Sequence, residues 1–389
     1  MLTGAAVLVA QDFRSLAGQR LGLIVNQVSM VGDDHLIDLV ADSPVVELAA
    51  VFAPEHGVRG SADAGEAVGD SVDGSTGVPV FSLYGATRAP TPAMLGDVDV
   101  LVYDLQDVGT RFYTYISTMG LAMQAAARAH VQFVVLDRPD PLGGMTVAGF
   151  RRDENQASFV SQYPITSAYG MTAGELATAI KSEGWFDGLA DLDLRVVELE
   201  GWQRGDRWPA TDLAWLAPSP GLPTFEAALV YSGTVLFETT VLSYGKGTSH
   251  PFTTIGAAWV DGEAVASRLN GLDLPGVVFD PLVFTPDSAL APNPRSAGIE
   301  LEGIRYRITD VDAFRPVETG VHVLVAFRDH AIDQGAGPIV DRSAMFNLLA
   351  GTFRLLSQLR AGASAGEIID SWADDVRVFE AVRQPYLRY

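Results

Sequence analysis

The feature that most narrows the fold is a repeated pattern. A short run of Val, Leu, Ile and Phe ends abruptly in polar residues and is followed by a stretch with helical spacing. Such runs occupy residues 21–27 (LGLIVNQ), 45–52 (VVELAAVF), 98–105 (VDVLVYDL) and 131–136 (VQFVVL). Runs this short and this apolar suit strands buried on both faces of a sheet. Between them, Leu36, Ile37 and Val40 share a helical face within residues 33–42, and Met119, Ala122, Met123, Ala126, Ala127 and His130 share one within 117–130. Strand and amphipathic helix in alternation predict an α/β, doubly wound, mainly parallel sheet with right-handed crossovers. A shorter run at 78–83, the capping-box sequence Thr172-Ala173-Gly174-Glu175 opening a helix to about Ser182, and a strand at 195–199 extend the same domain.

The functional reading lies in where the polar residues fall. The runs end at Asn26, at Glu55, at Asp104 and Asp107, and at Asp137-Arg138. In an open α/β sheet the carboxyl ends of the strands share an edge, and ligands bind along it. Loops are polar simply because they are solvated, which accounts for one such ending more easily than for four. The chemistry concentrates in residues 52–60, FAPEHGVRG. Pro54 stops the strand because it has no N–H for the ladder. Glu55, His56 and Arg59 follow at once, among glycines that let the chain turn. An active-site centre and a polar loop capping a helix are both open to such a segment.

Further on, Trp202, Trp208 and Trp215 sit among prolines. Their rings either stack on a sugar or pin a long loop to the core. An apolar run at 229–240, read as a strand, ends at Glu238 and leads into Lys246. From residue 255 the pattern becomes α+β, with strands expected at 255–260, 277–284 and 304–309 and helices at 262–269, 321–330, 343–359 and 365–372. A chain of 389 residues exceeds one core of ordinary size. We therefore expect two domains, residues 1–245 and a smaller α+β domain, 246–389, that completes a cleft.

Composition removes several function classes. A formal net charge of −22 argues against nucleic acid and anionic lipid as partners, since both call for basic patches. The chain has no cysteine, so disulfides, thiolate metal sites and cysteine nucleophiles are excluded. No run approaches the roughly 20 apolar residues that span a bilayer, and the first ten residues lack a basic secretory n-region. The expectation is a cytoplasmic protein that does not engage a membrane. The sheet is Rossmann-like, yet residues 21–32 hold no G-x-G-x-x-G, and Gly245-Lys246-Gly247-Thr248 lacks a phosphate loop's spacing. A nucleotide-dependent oxidoreductase therefore rests on fold analogy alone. No histidine pair has the i,i+4 spacing of a helical zinc site, so no metal and no cofactor is expected; a magnesium ion on Asp104 and Asp107 has no signature in its favour. No G-x-S-x-G occurs.

Carboxylate chemistry remains. Glu55, Asp104, Asp107 and Glu238 are the candidate catalytic residues, each read as following a strand. Glycoside hydrolysis uses one carboxyl to protonate the leaving oxygen and usually a second to oppose it, and the apolar neighbours of Glu55 suit a desolvated general acid. Arg111, Tyr113 and Tyr115, in DVGTRFYTY, suit an acidic sugar: tyrosines stack on rings and bond hydroxyls, and arginine forks onto a carboxylate. A structural Arg111–Asp107 ion pair fits the same spacing. Asn26, His56, Arg59, Arg138 and Lys246 complete the candidate substrate-binding set.

FAPEHGVRG (52–60), AGEAVGD (64–70), PVFSLYG (79–85), YDLQDVGTRFYTYISTM (103–119), VVLDRPDPLGG (134–144), YGMTAGELA (169–177), PSPGLPT (218–224) and the ETT-x-LS-x-GKGT run (238–248) occur in this order. On these motifs the chain resembles the NamZ-like exo-β-N-acetylmuramidases over nearly its whole length. The resemblance implies a Rossmann-like domain with a smaller C-terminal domain and a cleft between them. It implies release of N-acetylmuramic acid from the non-reducing ends of peptidoglycan-derived disaccharides or short glycans, as in cell-wall recycling. The family's P-E-H-G glutamate maps onto Glu55. Relatives commonly carry arginine where Lys246 stands and a different motif where this chain has residues 291–303. A non-catalytic binder of muropeptides is the competing function.

Overall fold

The computed structural model describes residues 1–55, 58 and 69–389. Its main sheet contains β1 (Arg20–Val25), β2 (Glu47–Ala53), β3 (Ser71–Val72), β4 (Pro79–Ser82), β5 (Val100–Asp104), β6 (Gln132–Leu136) and β7 (Leu194–Val197). The spatial order is β7-β6-β5-β1-β2-β4-β3. Every pairing is parallel except that of β3 with β4. The chain winds outward from β1 through β2 to β4, then returns to lay β5 on the other side of β1. That reversal is the Rossmann-like winding expected from the sequence, and it opens a crevice beyond the carboxyl ends of the strands.

The strands are apolar on both faces because both faces are covered. Leu21, Leu23 and Val25, with Val51, Ala53, Val100, Val102, Val134 and Leu136, meet α1 (Gly4–Ala10) and α2 (Leu36–Ala41). The alternate residues Ile24, Phe52, Leu101, Tyr103, Phe133 and Val135 meet α3 (Tyr115–Ala129) and α4 (Ala173–Ser182). A period of two sorts one strand sequence onto two helical layers. The capping box at the start of α4 forms as expected, with both reciprocal bonds between Thr172 and Glu175.

Two expectations need correction. Residues 229–240 are not a strand. They belong to α5 (Phe225–Thr234) and a following 3-10 turn, Val235–Thr239. Thr224 caps α5, accepting from Ala227 N at 3.1 Å, and the helix is buried nearly all round, which erases the periodicity that distinguishes helix from strand. Gly233 of α5 lies against Gly320: a Cβ on Gly320 would collide with the Gly233 backbone, and one on Gly233 with the carbonyl of Pro316. That approach presses α5 onto α7 (Pro316–Asp333). The second correction concerns residues 343–359, which form two helices rather than one.

Beyond α5, a three-stranded antiparallel sheet of β8 (Thr254–Ala257), β9 (Val277–Phe284) and β10 (Leu301–Ile308) has the order β8-β10-β9. It packs with α6 (Gly262–Asn270) and α7 around a separate core that includes Ile255, Phe279, Ile304, Leu324 and Phe327. Then follow α8 (Ser343–Ala350), α9 (Arg354–Arg360), α10 (Ala365–Asp370) and α11 (Ala373–Arg383). The last residues return to the large sheet: the Tyr389 hydroxyl donates to Asp137 Oδ2 at 2.8 Å and Arg388 N to Glu175 Oε1 at 2.6 Å. Among the described residues, no helix is long and apolar enough to cross a membrane.

Candidate active site

A cleft of about 470 Å³ opens at the carboxyl edge of the main sheet and is roofed by the second half of the chain. Glu55 reaches it from just beyond β2, Tyr84 and Arg88 from the loop after β4, and Phe112, Tyr113 and Thr114 from the turn between β5 and α3. Ser219 and Leu222 come from the proline-rich loop, Tyr231 and Glu238 from α5 and the turn after it, and Met345, Leu348 and Leu349 from α8. A separate groove of about 340 Å³, between Ile332, Val340, Leu356 and Leu359, is lined by no carboxylate.

The two cleft glutamates sit in different surroundings. Thr114 Oγ1 donates to Glu55 Oε2 at 2.9 Å. The Tyr84 phenol, raised to about 12 by its burial, also feels the charge of Glu55 and hydrogen-bonds to it. Glu238 stands near two cations. Burial pushes its carboxyl up to about 7, against the pull of the Lys246 and Arg342 cations, and the charge of Glu55 adds to the rise. A glutamate in that range keeps its proton in about half of the molecules at pH 7 and in nearly all of them a unit below. Aromatic side chains line the same cleft. Tyr231 meets Phe112 at 5.3 Å and Phe252 at 4.8 Å, both edge-on.

The structure separates the residues expected from the sequence into two groups. Glu55, Glu238 and Tyr113 line the cleft, and Lys246 reaches Glu238 by its charge. The other candidates among the described residues do not line it. Asp104 lies on β5 beside the end of β6, where Arg138 grips both its oxygens at 2.6 and 2.9 Å. Both are buried, so they satisfy each other. Asp107 is buried and accepts from Gly109 N at 2.7 Å and from the Tyr169 hydroxyl; burial raises it to about 6. Arg111 does not meet Asp107, nor does it reach the cleft. It is fully buried and donates to the carbonyls of Phe150 at 2.7 Å, Ile165 at 2.9 Å and Leu349 at 3.0 Å. Desolvation lowers it to about 9. Asn26 Nδ2 donates to the Tyr115 hydroxyl, which donates to Pro218 O at 2.7 Å and so fastens the proline-rich loop to the sheet edge. His56 and Arg59 lie outside the described residues. Glu238 follows a helix and a 3-10 turn rather than the expected strand.

The three tryptophans pin the loop rather than line the cleft: Trp208 meets Trp215 edge-on at 5.0 Å, and Trp202 meets Tyr389 at 5.5 Å. Sequence reading missed Tyr84, Arg88, Thr114 and Tyr231. Tyr84 and Thr114 stood inside quoted motifs, PVFSLYG and TRFYTY, but each was passed over beside more conspicuous neighbours. The described residues gather no group of three or more His, Asp or Glu side chains able to hold a metal ion.

Comparison with known proteins identifies the family. The family description "Exo-beta-N-acetylmuramidase NamZ" matches residues 21–226 with its N-terminal part and residues 229–389 with its C-terminal part. The chain belongs to the NamZ exo-β-N-acetylmuramidase family. A protein of Bacillus subtilis strain 168, the peptidoglycan beta-N-acetylmuramidase NamZ, is 40% identical over 388 residues, covering 100% of this chain and 91% of that one. Two crystal structures of DUF1343 family proteins from Bacteroides fragilis NCTC 9343 share the fold. One superposes with a TM-score of 0.91 at 37% identity and the other with 0.80 at 29%, each covering 100% of this chain and 98% of its own. As a NamZ family member the protein is a glycosidase. The seam between the two family halves falls at residues 227–228, inside α5, the helix that carries Tyr231 and leads to Glu238.

Proposed function

We propose that the protein hydrolyses the β-glycosidic bond of a non-reducing terminal N-acetylmuramic acid in peptidoglycan fragments, with Glu238 as proton donor and Glu55 as the opposing carboxylate. The observation that carries this reading is the pair itself: two glutamates from the two halves of the chain line one cleft, and burial raises the Glu238 carboxyl to about 7. Glycoside hydrolysis asks for a pair of carboxyls, an acid that still holds its proton near pH 7 and a carboxylate that meets the positive charge developing at the anomeric carbon. Glu238 has the burial of the first. Glu55 has the hydroxyl contacts that orient the second. This moves the proton-donor role that sequence reading gave to Glu55 across the cleft.

Phe112, Tyr113, Tyr231 and Phe252 supply apolar and polar edges for a sugar ring. Recycling of cell-wall fragments in a bacterium is the setting that this reaction implies. Incubation with MurNAc-GlcNAc tests the proposal. Free MurNAc should appear with the wild type, and its rate should fall by a factor on the order of 10² or more in Glu55→Gln and in Glu238→Gln. Intact disaccharide bound without release of MurNAc would instead identify a non-catalytic sugar binder.

A further inference from the structure

Arg88 lines the same cleft, from the loop after β4. Its guanidinium carbon lies 4.2 Å from the centroid of the Phe159 ring and 5.8 Å from that of Tyr84. No carboxylate among the described residues pairs with it, although the chain has 48 Asp and Glu against 26 Lys and Arg. Other arginines here, such as Arg20, Arg138, Arg204 and Arg354, each find an acid. Stacking on an aromatic face restrains the planar fork and leaves its edge able to donate two parallel hydrogen bonds. On the same wall, Ser158 has a buried hydroxyl with no hydrogen-bond partner among the described residues. Tyr84 stands between Arg88 and Glu55, in contact with both. The cation is thus one side chain away from Glu55.

We propose that Arg88 binds the carboxylate of an acidic sugar in this cleft and so sets the preference for a lactyl-bearing residue over N-acetylglucosamine. The inference rests on the glycosidase reading above. It names the residue that reads the feature distinguishing the two sugars, a carboxylate carried on the ring by an ether link. A planar fork suits that group better than a point charge.

Calorimetric titration of MurNAc, its lactamide and GlcNAc into the wild type, Arg88→Lys and Arg88→Ala tests this. The wild type should bind MurNAc more tightly than the other two sugars. Arg88→Ala should weaken MurNAc binding on the order of 10²-fold, the usual scale for a lost charge-assisted pair, and leave lactamide and GlcNAc binding little changed. Arg88→Lys should recover part of the loss. Equal weakening for all three sugars, or none for MurNAc, overturns the assignment. Binding needs no turnover. A protein that bound MurNAc through Arg88 yet left the disaccharide intact would contradict the glycosidase reading and uphold this one.

Discussion

Thr114 occupies the N-cap position of α3, yet its hydroxyl does not cap the helix; it donates to Glu55 Oε2 at 2.9 Å. A threonine in that position ordinarily accepts from a backbone N–H of the first turn. Here the helix gives up that bond, and a carboxylate from the turn just beyond β2, 59 residues earlier, sits at the positive end of a 15-residue helix. Thr114→Val keeps the shape and removes the donor. It should lower kcat by about 10- to 100-fold, the range for a lost hydrogen bond to a charged group, with thermal stability close to wild type. Steady-state kinetics and a melting curve on the same preparation check both parts.

The raised carboxyl of Glu238 sets a pH dependence with a definite sign. Its affinity for a proton rises from about 4.5 in the unfolded chain to about 7 in the fold. The acid form is present below pH 7 and lost above it. Turnover should therefore fall about tenfold per pH unit above 7, and this alkaline limb should vanish in the residual activity of Glu238→Gln. Stability follows the same group. The folded state holds the proton more tightly, so the contribution of Glu238 is full below pH 4.5 and declines as pH rises through 7. The melting temperature of Glu238→Gln relative to wild type should climb across that window.

Asp104 and Arg138 should act on stability rather than on chemistry. Both are buried and grip each other in bidentate fashion. Asp104→Ala strands a buried guanidinium, which costs about 3–5 kcal/mol, read as a shift in the denaturant midpoint. The fraction that stays folded should keep a near-normal KM. A catalytic Asp104 would show the reverse, with stability kept and kcat lost.

Arg111 should behave in the same way, through Gly351. The glycine has φ +71° and separates α8 from α9, and a Cβ there would lie 2.6 Å from Arg111 Nη2. Gly351→Ala meets both the left-handed backbone, worth about 1–2 kcal/mol, and the guanidinium. Arg111→Met leaves the carbonyls of Phe150, Ile165 and Leu349 without their shared donor, at about 1–3 kcal/mol each where no water replaces it. Both variants should lower the unfolding midpoint, and neither should alter discrimination between MurNAc and GlcNAc.

These cases show what the sequence makes legible. Local chemistry reads well: the Thr172–Glu175 box formed, and period-two strands sorted onto two layers. The parallel winding also emerged from alternation alone. Partnership over long separations did not. Arg111 looked like a substrate fork beside Tyr113, but its partner Leu349 is 238 residues away. Asp104 and Arg138 both looked like cleft groups, and neighbouring strands instead set them side by side, where opposite charges satisfy each other. Glu238 reaches the cleft from a different element than expected, since a helix buried nearly all round leaves no periodic trace. Arg88 had no signal, because a lone arginine in a Pro- and Ala-containing loop looks like any solvated charge.

The proton-donor assignment is tested most directly by changing the leaving group. Wild type, Glu238→Gln and Glu55→Gln should be compared on MurNAc-GlcNAc and on 4-nitrophenyl β-MurNAc, whose phenolate departs without protonation. The account predicts that Glu238→Gln loses the disaccharide reaction by a factor on the order of 10² or more while retaining most of its rate on the nitrophenyl glycoside, and that Glu55→Gln loses both. Near-wild-type cleavage of the disaccharide by Glu238→Gln would contradict it.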